Sequence, residues 1–251
     1  MLLENRVCVV TGGASARGIG RAVASIFAEH GATIAILDLD GAGASAGAAE
    51  MPRGKGHKGF ACDVTDRDGC LDLLSRIHGE FGRIDVVVNS AGIAEPAAFT
   101  SIHPKSYDAM MDVNLRGTFH ICQASMPWMA AAKSGSIINI ASVAAQRGGG
   151  IFGGSHYAAA KGGVLSLTKA LAREFGPQGI RANVICPSLV ETAIHGDGLS
   201  EERRRQIVAG VPLGRVGQPR DIAGACLFLA SDLSAYVTGA EIDVNGGSHI
   251  H

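Results

Sequence analysis

A tyrosine and a lysine, Tyr157 and Lys161, lie four residues apart near the start of a long amphipathic stretch. Four residues is just over one helical turn, so the phenol and the ammonium project from the same face of a helix. A neighbouring cation favours the phenolate, which brings a side chain with a pKa of about 10 within reach of proton exchange near neutrality. Such pairs are common on helix surfaces, and this one takes its meaning from a second feature far upstream. Residues Thr11 to Gly20 read Thr-Gly-Gly-Ala-Ser-Ala-Arg-Gly-Ile-Gly, between the first apolar strand and the first helical stretch. Glycines let a backbone approach a pyrophosphate, and a helix N-terminus offers unpaired N–H groups and partial positive charge. The candidate phosphate-binding residues are Gly12, Ser15, Arg17, Gly18, Ile19 and Gly20. Together the two features point to a nucleotide-dependent oxidoreductase.

Asp38 closes the second apolar run, twenty residues after Gly18. At that spacing a carboxylate meets the adenosine ribose, accepts hydrogen bonds from its hydroxyls and repels a 2′-phosphate. NAD is therefore expected in preference to NADP. Arg17 argues the other way, because a guanidinium there could hold a 2′-phosphate; Asp38 carries more weight because its charge would stand directly against that phosphate. Asp40 reads as a solvated loop carboxylate.

The elements that must position these groups are short β-branched runs alternating with helix-period stretches. Seven strands are predicted, at Arg6 to Val10, Thr33 to Leu37, Gly59 to Cys62, Ile84 to Val88, Ser136 to Ile140, Ile180 to Ile185 and Glu241 to Val244. Strands apolar on both faces and separated by helices imply right-handed crossovers, hence an α/β, doubly wound parallel sheet of Rossmann type with helices on both faces. Met111, Leu115, Phe119, Cys122, Met126 and Met129 form one helical stripe, and Ala160, Val164, Leu167, Leu171 and Phe175 another; both read as core faces. The Gly- and Ala-rich patch from Gly41 to Ala49 reads as a loop and weak helix.

With 251 residues, 47% of them hydrophobic, the chain can bury one sizeable core, and a single domain over residues 1–251 is the expectation. A formal charge of −1 speaks against a nucleic-acid surface or a polybasic membrane contact, which leaves a small molecule as the partner. The six cysteines, Cys8, Cys62, Cys70, Cys122, Cys186 and Cys226, contain no C-x-x-C pair and read as reduced core residues. No apolar run is long enough to span a bilayer and the first strand starts too near Met1 for a leader, so a cytoplasmic protein is expected.

Several separated motifs resemble the short-chain dehydrogenase/reductase family in that family's order, over residues 5 to 247: the Thr11-Gly12 turn, Asp63-Val64, Asn89-Ser90-Ala91-Gly92, Asn114, Ser142, Tyr157-x-x-x-Lys161 and Pro187. The resemblance implies that Tyr157 is the general acid/base, that Lys161 lowers its pKa and holds the nicotinamide ribose, and that Ser142 holds the substrate oxygen. It further implies that Asn114 anchors a water on the proton path. Asp63 and Val64 would flank adenine. Asn89, Ala91 and Gly92 would line the cofactor cleft, and Pro187, Val190 and Thr192 would form the nicotinamide site, with Thr192 on the carboxamide. Taken by their residue types alone, Ser142 follows a strand end where open parallel sheets place ligands, and Asn114 interrupts a helical stretch that disfavours it. The resemblance also implies a homotetramer, with the Tyr157 helix and the C-terminal region in contact.

The sequence departs from the family pattern in three places. Two extra residues lie between Gly12 and Gly18, the interval from Ser142 to Tyr157 is about two residues longer than usual and contains Gly148 to Gly154, and Ser188 replaces a common glycine. Glu95, Gln146, Ser142 and Ser188 are the candidate substrate contacts, and their hydroxyl and amide chemistry favours a polyol, sugar or hydroxy-ketone. A lid is expected over residues 191–213, with Glu201 to Arg205 as a solvated helix face, and His156 is expected as pocket wall or polar surface. No metal site is expected, His249 and His251 having no carboxylate partner at ligand spacing. Two other readings stay open: an NADPH-dependent reductase of carrier-bound 3-ketoacyl groups, and a non-catalytic module that senses a dinucleotide.

Overall fold

The computed structural model describes residues 1–53, 56–149, 153–192 and 200–251. Seven parallel strands form one sheet: β1 (Val7–Thr11), β2 (Thr33–Asp38), β3 (Lys58–Ala61), β4 (Val86–Asn89), β5 (Gly135–Ile140), β6 (Ile180–Pro187) and β7 (Glu241–Val244), in the order β3-β2-β1-β4-β5-β6-β7. Each expected strand is present, with ends shifted by two residues at most. The helices are α1 (Ile19–Glu29), α2 (Gly41–Ala49), α3 (Arg67–Phe81), α4 (Pro104–Met111), α5 (Gly117–Ala132), α6 (Val143–Arg147), α7 (Ser155–Phe175), α8 (Glu201–Ala209) and α9 (Pro219–Ala230). No described helix is long and apolar enough to cross a membrane.

Strand alternation divides the core in two. Cys8, Val10, Ile34, Ile36, Val86, Val88 and Ile138 face α1, α2 and α9, where Val23, Phe27, Ile222 and Leu229 fill the layer. Val9, Ala35, Leu37, Val87 and Ile137 face the other way, against Leu74 and Ile77 of α3 and Ile121 and Met129 of α5. Apolar burial on both faces explains why the strands read as continuous β-branched runs. Leu37 pairs with Thr11 while Val88 pairs with Val10, so the chain leaves β1 toward β2 on one side and returns through β4 on the other. That reversal opens a crevice at the carboxyl ends of β1 and β4.

Three expectations need correction. The patch from Gly41 to Ala49 is a regular helix, α2, and Asp40 caps it by accepting a hydrogen bond from Gly43 N at 2.9 Å rather than standing free in a loop. Its small residues let the helix backbone lie directly on Gly59 of β3, where any Cβ would strike the Ala44 carbonyl. In the first helical stripe, Met110 rather than Met111 is fully buried and Phe119 is 45% exposed. The physical reason is a π-helical turn at Asp112–Arg116 between α4 and α5, whose extra residue rotates everything upstream relative to the straight 3.6-residue pattern. In α7 the deepest residues are Ala160, Lys161, Val164, Thr168 and Ala172, while Leu167, Leu171 and Phe175 are only half-buried.

A polar ladder crosses the apolar sheet. Asn89 Nδ2 donates to Asn139 Oδ1 at 2.9 Å, and Asn139 Nδ2 donates to Thr168 Oγ1 at 2.9 Å, tying β4 to β5 and β5 to α7. All three side chains are buried at 3% exposure or less. Truncating the middle member strands polar groups on both sides, each costing about 1–3 kcal/mol. Asn139→Ala is expected to lose about 2–4 kcal/mol in urea unfolding; a loss within experimental error would show that the ladder does not tie the layers.

Candidate active site

The crevice is a cavity of about 830 Å³ that runs from the end of β2 to the last turn of α8. At its centre the glycine turn enters α1 through Gly18, with no side chain capping the helix and no acidic residue in its first turn. The N-terminal N–H groups and the dipole are thereby left for an anion. The two extra residues of the turn are held in place by Arg21, whose Nε donates to Gly13 O at 2.9 Å and whose Nη2 donates to Ala14 O at 2.8 Å. Gly12, Ser15, Gly18 and Ile19 line the cavity. Gly20 and Arg17 do not. Gly20 is buried beneath the turn, where a Cβ would collide with Gly12 O, so its task is close packing of helix on strand. Arg17 is exposed and its charge acts on Glu191 across the cleft.

Asp38 lies on the wall at one end, with Oδ2 accepting from Ala14 N at 2.9 Å and Oδ1 from Asp40 N at 3.1 Å. These bonds fix the carboxylate and leave lone pairs for further donors. Asp63 and Val64 line the same end, and Ala91 and Gly92 follow along β4's exit, braced by Thr11 Oγ1, which accepts from Ser90 N and Ala91 N at 3.0 Å. Asn89 is not part of the wall; its amide belongs to the ladder within the sheet.

At the other end Ser142, Tyr157, Lys161 and Asn114 converge, carried by β5's exit, α7 and the π-helical turn. Ser142 caps α6, accepting from Ala144 N at 3.1 Å, and hydrogen-bonds the Tyr157 phenol. Lys161 is buried, its Nζ 5.9 Å from the Tyr157 ring centroid and donating to Ile140 O at 2.8 Å. Burial pulls the Lys161 pKa down to about 8. Burial also raises that of Tyr157, only partly offset by Ser142, so the depression of the phenol expected from Lys161 is not the direction found. Asn114 Nδ2 donates to Ile93 O and Met110 O, both at 3.0 Å, locking the turn to the chain leaving β4. Gly92 is the residue between them: a Cβ there would stand 2.7 Å from Asn114 Oδ1 and 3.5 Å from Lys161 Nζ.

Pro187 at the end of β6 and Val190 and Thr192 after it line the cavity, and the buried Thr192 Oγ1 has no partner among the described residues. The cavity's length, the fixed carboxylate at one end, the uncapped helix at its middle and this unsatisfied hydroxyl beyond it together fit a nicotinamide dinucleotide.

The expected substrate contacts fare unevenly. Ser188 lines the cavity but donates its hydroxyl to Asn245 O at 3.1 Å. Glu95 does not line it and accepts from Ser106 Oγ at 2.7 Å. Gln146 points away and donates to Asp243 Oδ1 at 2.9 Å, because α6 turns that face toward β7. His156 is buried against Ser106 rather than forming pocket wall or surface. Of the expected lid, residues 193–199 lie outside the described residues, as do residues 150–152 of the glycine-rich loop. The described part places Gln206, Ile207 and Gly210 on the cavity wall, and pairs Arg204 with Glu191 at 2.8 Å. Arg147, at the end of α6, and Ser248, whose buried Oγ has no partner among the described residues, also line it. Neither was singled out from sequence, since each lies outside any motif and reaches the cavity only through the fold.

Comparisons with known proteins agree with this geometry. A family described as Enoyl-(Acyl carrier protein) reductase matches residues 12–249. The chain is 50% identical to an uncharacterized short-chain type dehydrogenase/reductase, y4mP, of Sinorhizobium fredii, over 100% of both chains. It is 41% identical to a D-threitol dehydrogenase of Mycolicibacterium smegmatis, over 98% of this chain and 93% of that one. It is 39% identical to the 3-oxoacyl-[acyl-carrier-protein] reductase FabG of Thermotoga maritima, over 98% and 99%. The crystal structure of gox2181 superposes with a TM-score of 0.93 at 35% identity, covering 98% of this chain and 96% of that one. With a seven-stranded parallel sheet and Gly12, Asp63, Val64, Ala91, Gly92, Asn114, Ser142, Tyr157, Lys161 and Pro187 on the wall of the crevice at its edge, the chain belongs to the short-chain dehydrogenase/reductase family of oxidoreductases.

Proposed function

We propose that the protein is an NAD-dependent enzyme interconverting a secondary alcohol and its ketone, with one domain holding both nucleotide and substrate and Tyr157 as general acid/base. The observation that carries this reading is the Tyr157 phenol on the cavity wall, hydrogen-bonded to Ser142 and backed by the Lys161 ammonium. The dinucleotide, when bound, supplies the hydride chemistry. The protein's own residues manage the substrate oxygen and its proton. Ser142 donates to a ketone oxygen, and Tyr157 gives it the phenolic proton as the alcohol forms. Burial keeps that phenol protonated, which suits it to the donor's task, and in the reverse direction it receives the proton. Lys161 holds positive charge beside the ring, and the nicotinamide ribose is its other partner. Asn114 keeps the π-helical turn against Ile93, so that a water on the proton path has a fixed backbone to bind.

Asp38 supports NAD, because its anchored carboxylate stands where a 2′-phosphate would have to go. The polyol preference has less support than its residues promised: Glu95 and Gln146 are spent elsewhere, and its remaining basis is Ser188 and the likeness to a D-threitol dehydrogenase. A second reading, the NADPH-dependent 3-ketoacyl carrier-protein reductase, draws on Arg147 at the cavity wall, a cation suited to an anionic substrate, and on the FabG likeness. Cofactor choice separates the two. The reading includes a cytoplasmic homotetramer, as the family implies; Tyr107 and Phe119, at 46% and 45% exposure, offer apolar surface for such an assembly to cover.

The test is nicotinamide absorbance with NAD and NADP in parallel against polyols, simple secondary alcohols and 3-ketoacyl thioesters. Turnover with NAD and alcohols is expected; activity confined to NADPH and thioesters would replace the first reading with the second, and nucleotide binding without any turnover would return the sensing module. Tyr157→Phe removes the proton while keeping the ring, so turnover should fall by about 100-fold or more with NADH affinity nearly unchanged. Near-normal turnover in that variant would remove Tyr157 from its role. Asp38→Asn should raise kcat/KM with NADP about ten-fold or more relative to NAD by relieving charge repulsion, and an unaltered ratio would place cofactor choice elsewhere.

A further inference from the structure

The turn that follows β7 is closely built, and the proposed mechanism gives it no task. Asn245 is buried; its Oδ1 accepts from Gly247 N at 2.8 Å and its Nδ2 donates to His249 O at 2.9 Å, so one side chain fixes the backbone on both sides of Ser248. Gly246 and Gly247 have φ of +66° and +83°, and a Cβ on them would stand 2.8 Å from Val211 Cγ1 and 2.8 Å from Pro212 Cγ respectively. The turn therefore rests directly on the chain leaving α8, and Leu213 N donates to Gly246 O at 3.1 Å. From the other side Ser188 Oγ donates to Asn245 O at 3.1 Å, which makes Ser188 a brace for the turn. What the turn presents to the cavity is Ser248, whose buried Oγ has no partner among the described residues. Asn89, Gln146, His156 and Thr192 also carry a buried polar atom in that condition, but of these only Thr192 stands on the cavity wall.

We infer that Ser248 is a specificity-determining residue whose hydroxyl binds a second hydroxyl group of the substrate, remote from the carbon that reacts. A buried hydroxyl without a partner is destabilising, and a ligand that pairs with it removes that cost. Strand order indicates which ligand. The glycine turn leaves β1, Ser142 leaves β5, Ser188 leaves β6 and the Ser248 turn leaves β7, across a sheet ordered β1-β4-β5-β6-β7 on this side. Ile140 of β5 pairs with Ile185 of β6, and Pro187 of β6 with Val244 of β7, so these exits stand level along the edge. Neighbouring strands lie about 4.8 Å apart, which puts the exit of β7 roughly 10 Å from that of β5. Ser142 therefore stands between the glycine turn and the Ser248 turn, and a ligand group at Ser248 belongs to the substrate's far end rather than to the nucleotide phosphates. A serine hydroxyl both donates and accepts, which matches an alcohol. Val211, against which the turn packs, is an apolar residue of the same wall and suits a neutral group. An alkyl chain in this place would leave Oγ unpaired, and a site built around a hydroxyl discriminates against the analogue that lacks it.

The inference rests on the dehydrogenase reading of the cavity and deepens it. The wild type and Ser248→Ala are assayed with NAD and NADP against tetritols and pentitols, and against 2,3-butanediol and 2-butanol, which keep a secondary alcohol and lack the terminal hydroxyls. NADH affinity and Tm are measured on both proteins. The wild type is expected to prefer the polyols. Ser248→Ala should raise KM for them about five- to ten-fold, as the loss of one hydrogen bond between neutral groups allows, while activity on 2,3-butanediol and 2-butanol, NADH affinity and Tm stay unchanged. An equal loss on polyols and on the deoxy alcohols, no loss on either, or a fall in NADH affinity that accounts for the lost turnover overturns the assignment of Ser248 to a substrate hydroxyl. Turnover confined to NADPH and 3-ketoacyl thioesters overturns it as well, with the protein still an oxidoreductase. A wild type that turns over no alcohol, ketone or thioester overturns the dehydrogenase reading itself and this inference with it.

Discussion

A parallel sheet buried on both faces can receive a ligand only at its edge, and the remaining features of this protein follow from that constraint. The faces of β1, β2, β4 and β5 are closed by α1, α2 and α9 on one side and α3, α5 and α7 on the other. What stays open is the carboxyl edge, and there the outward reversal between β1 and β4 spreads the flanking loops apart. Every residue in the proposed mechanism leaves a strand at this edge or is presented to it by a helix packed on the sheet. The layer that supplies stability therefore also supplies position.

Burial then sets the electrostatics. Among the described residues Lys161 is the lysine carried into the Tyr157 end of the cavity, where its Nζ donates to Ile140 O. The same dry environment raises the Tyr157 pKa, so without further positive charge the phenol is a proton donor rather than an acceptor. The π-helical turn serves the same end. It gives up regular helix geometry so that Asn114 can reach both Ile93 and Met110, which clamps the loop from β4 beside the cavity.

The end of the cavity at β2 and β3 is built on different terms. Asp38 is anchored by two backbone N–H groups, and Asp63 and Val64 sit in a tight connection between β3 and α3. In this part of the cavity the wall is made of Asp38, Asp63 and the backbone that holds them.

The strand runs, the glycine turn with its following helix, and the Tyr157–Lys161 spacing were legible in the sequence because each depends on local geometry: side-chain period, helix pitch, and glycine's access to close approach. Which polar residues face the cavity was not. Glu95 and Gln146 carry the right chemistry, but Ser106 and Asp243 take it up through contacts set by packing between distant segments. Asn89 belongs to a family motif and yet holds the sheet together, because its amide meets Asn139 one strand away. Phe119 was misread because one extra residue in a helical turn rotates the face, and no 3.6-residue pattern registers it. Arg147 and Ser248 reach the cavity only when α6 and the C-terminal segment are brought to the sheet's edge. The sequence by itself determined the elements, their order and the pairing of Tyr157 with Lys161, whose spacing is a matter of one turn; the tertiary structure alone decided which side chains face the cavity and which are used up in holding it open, because that depends on distances between residues far apart in the chain.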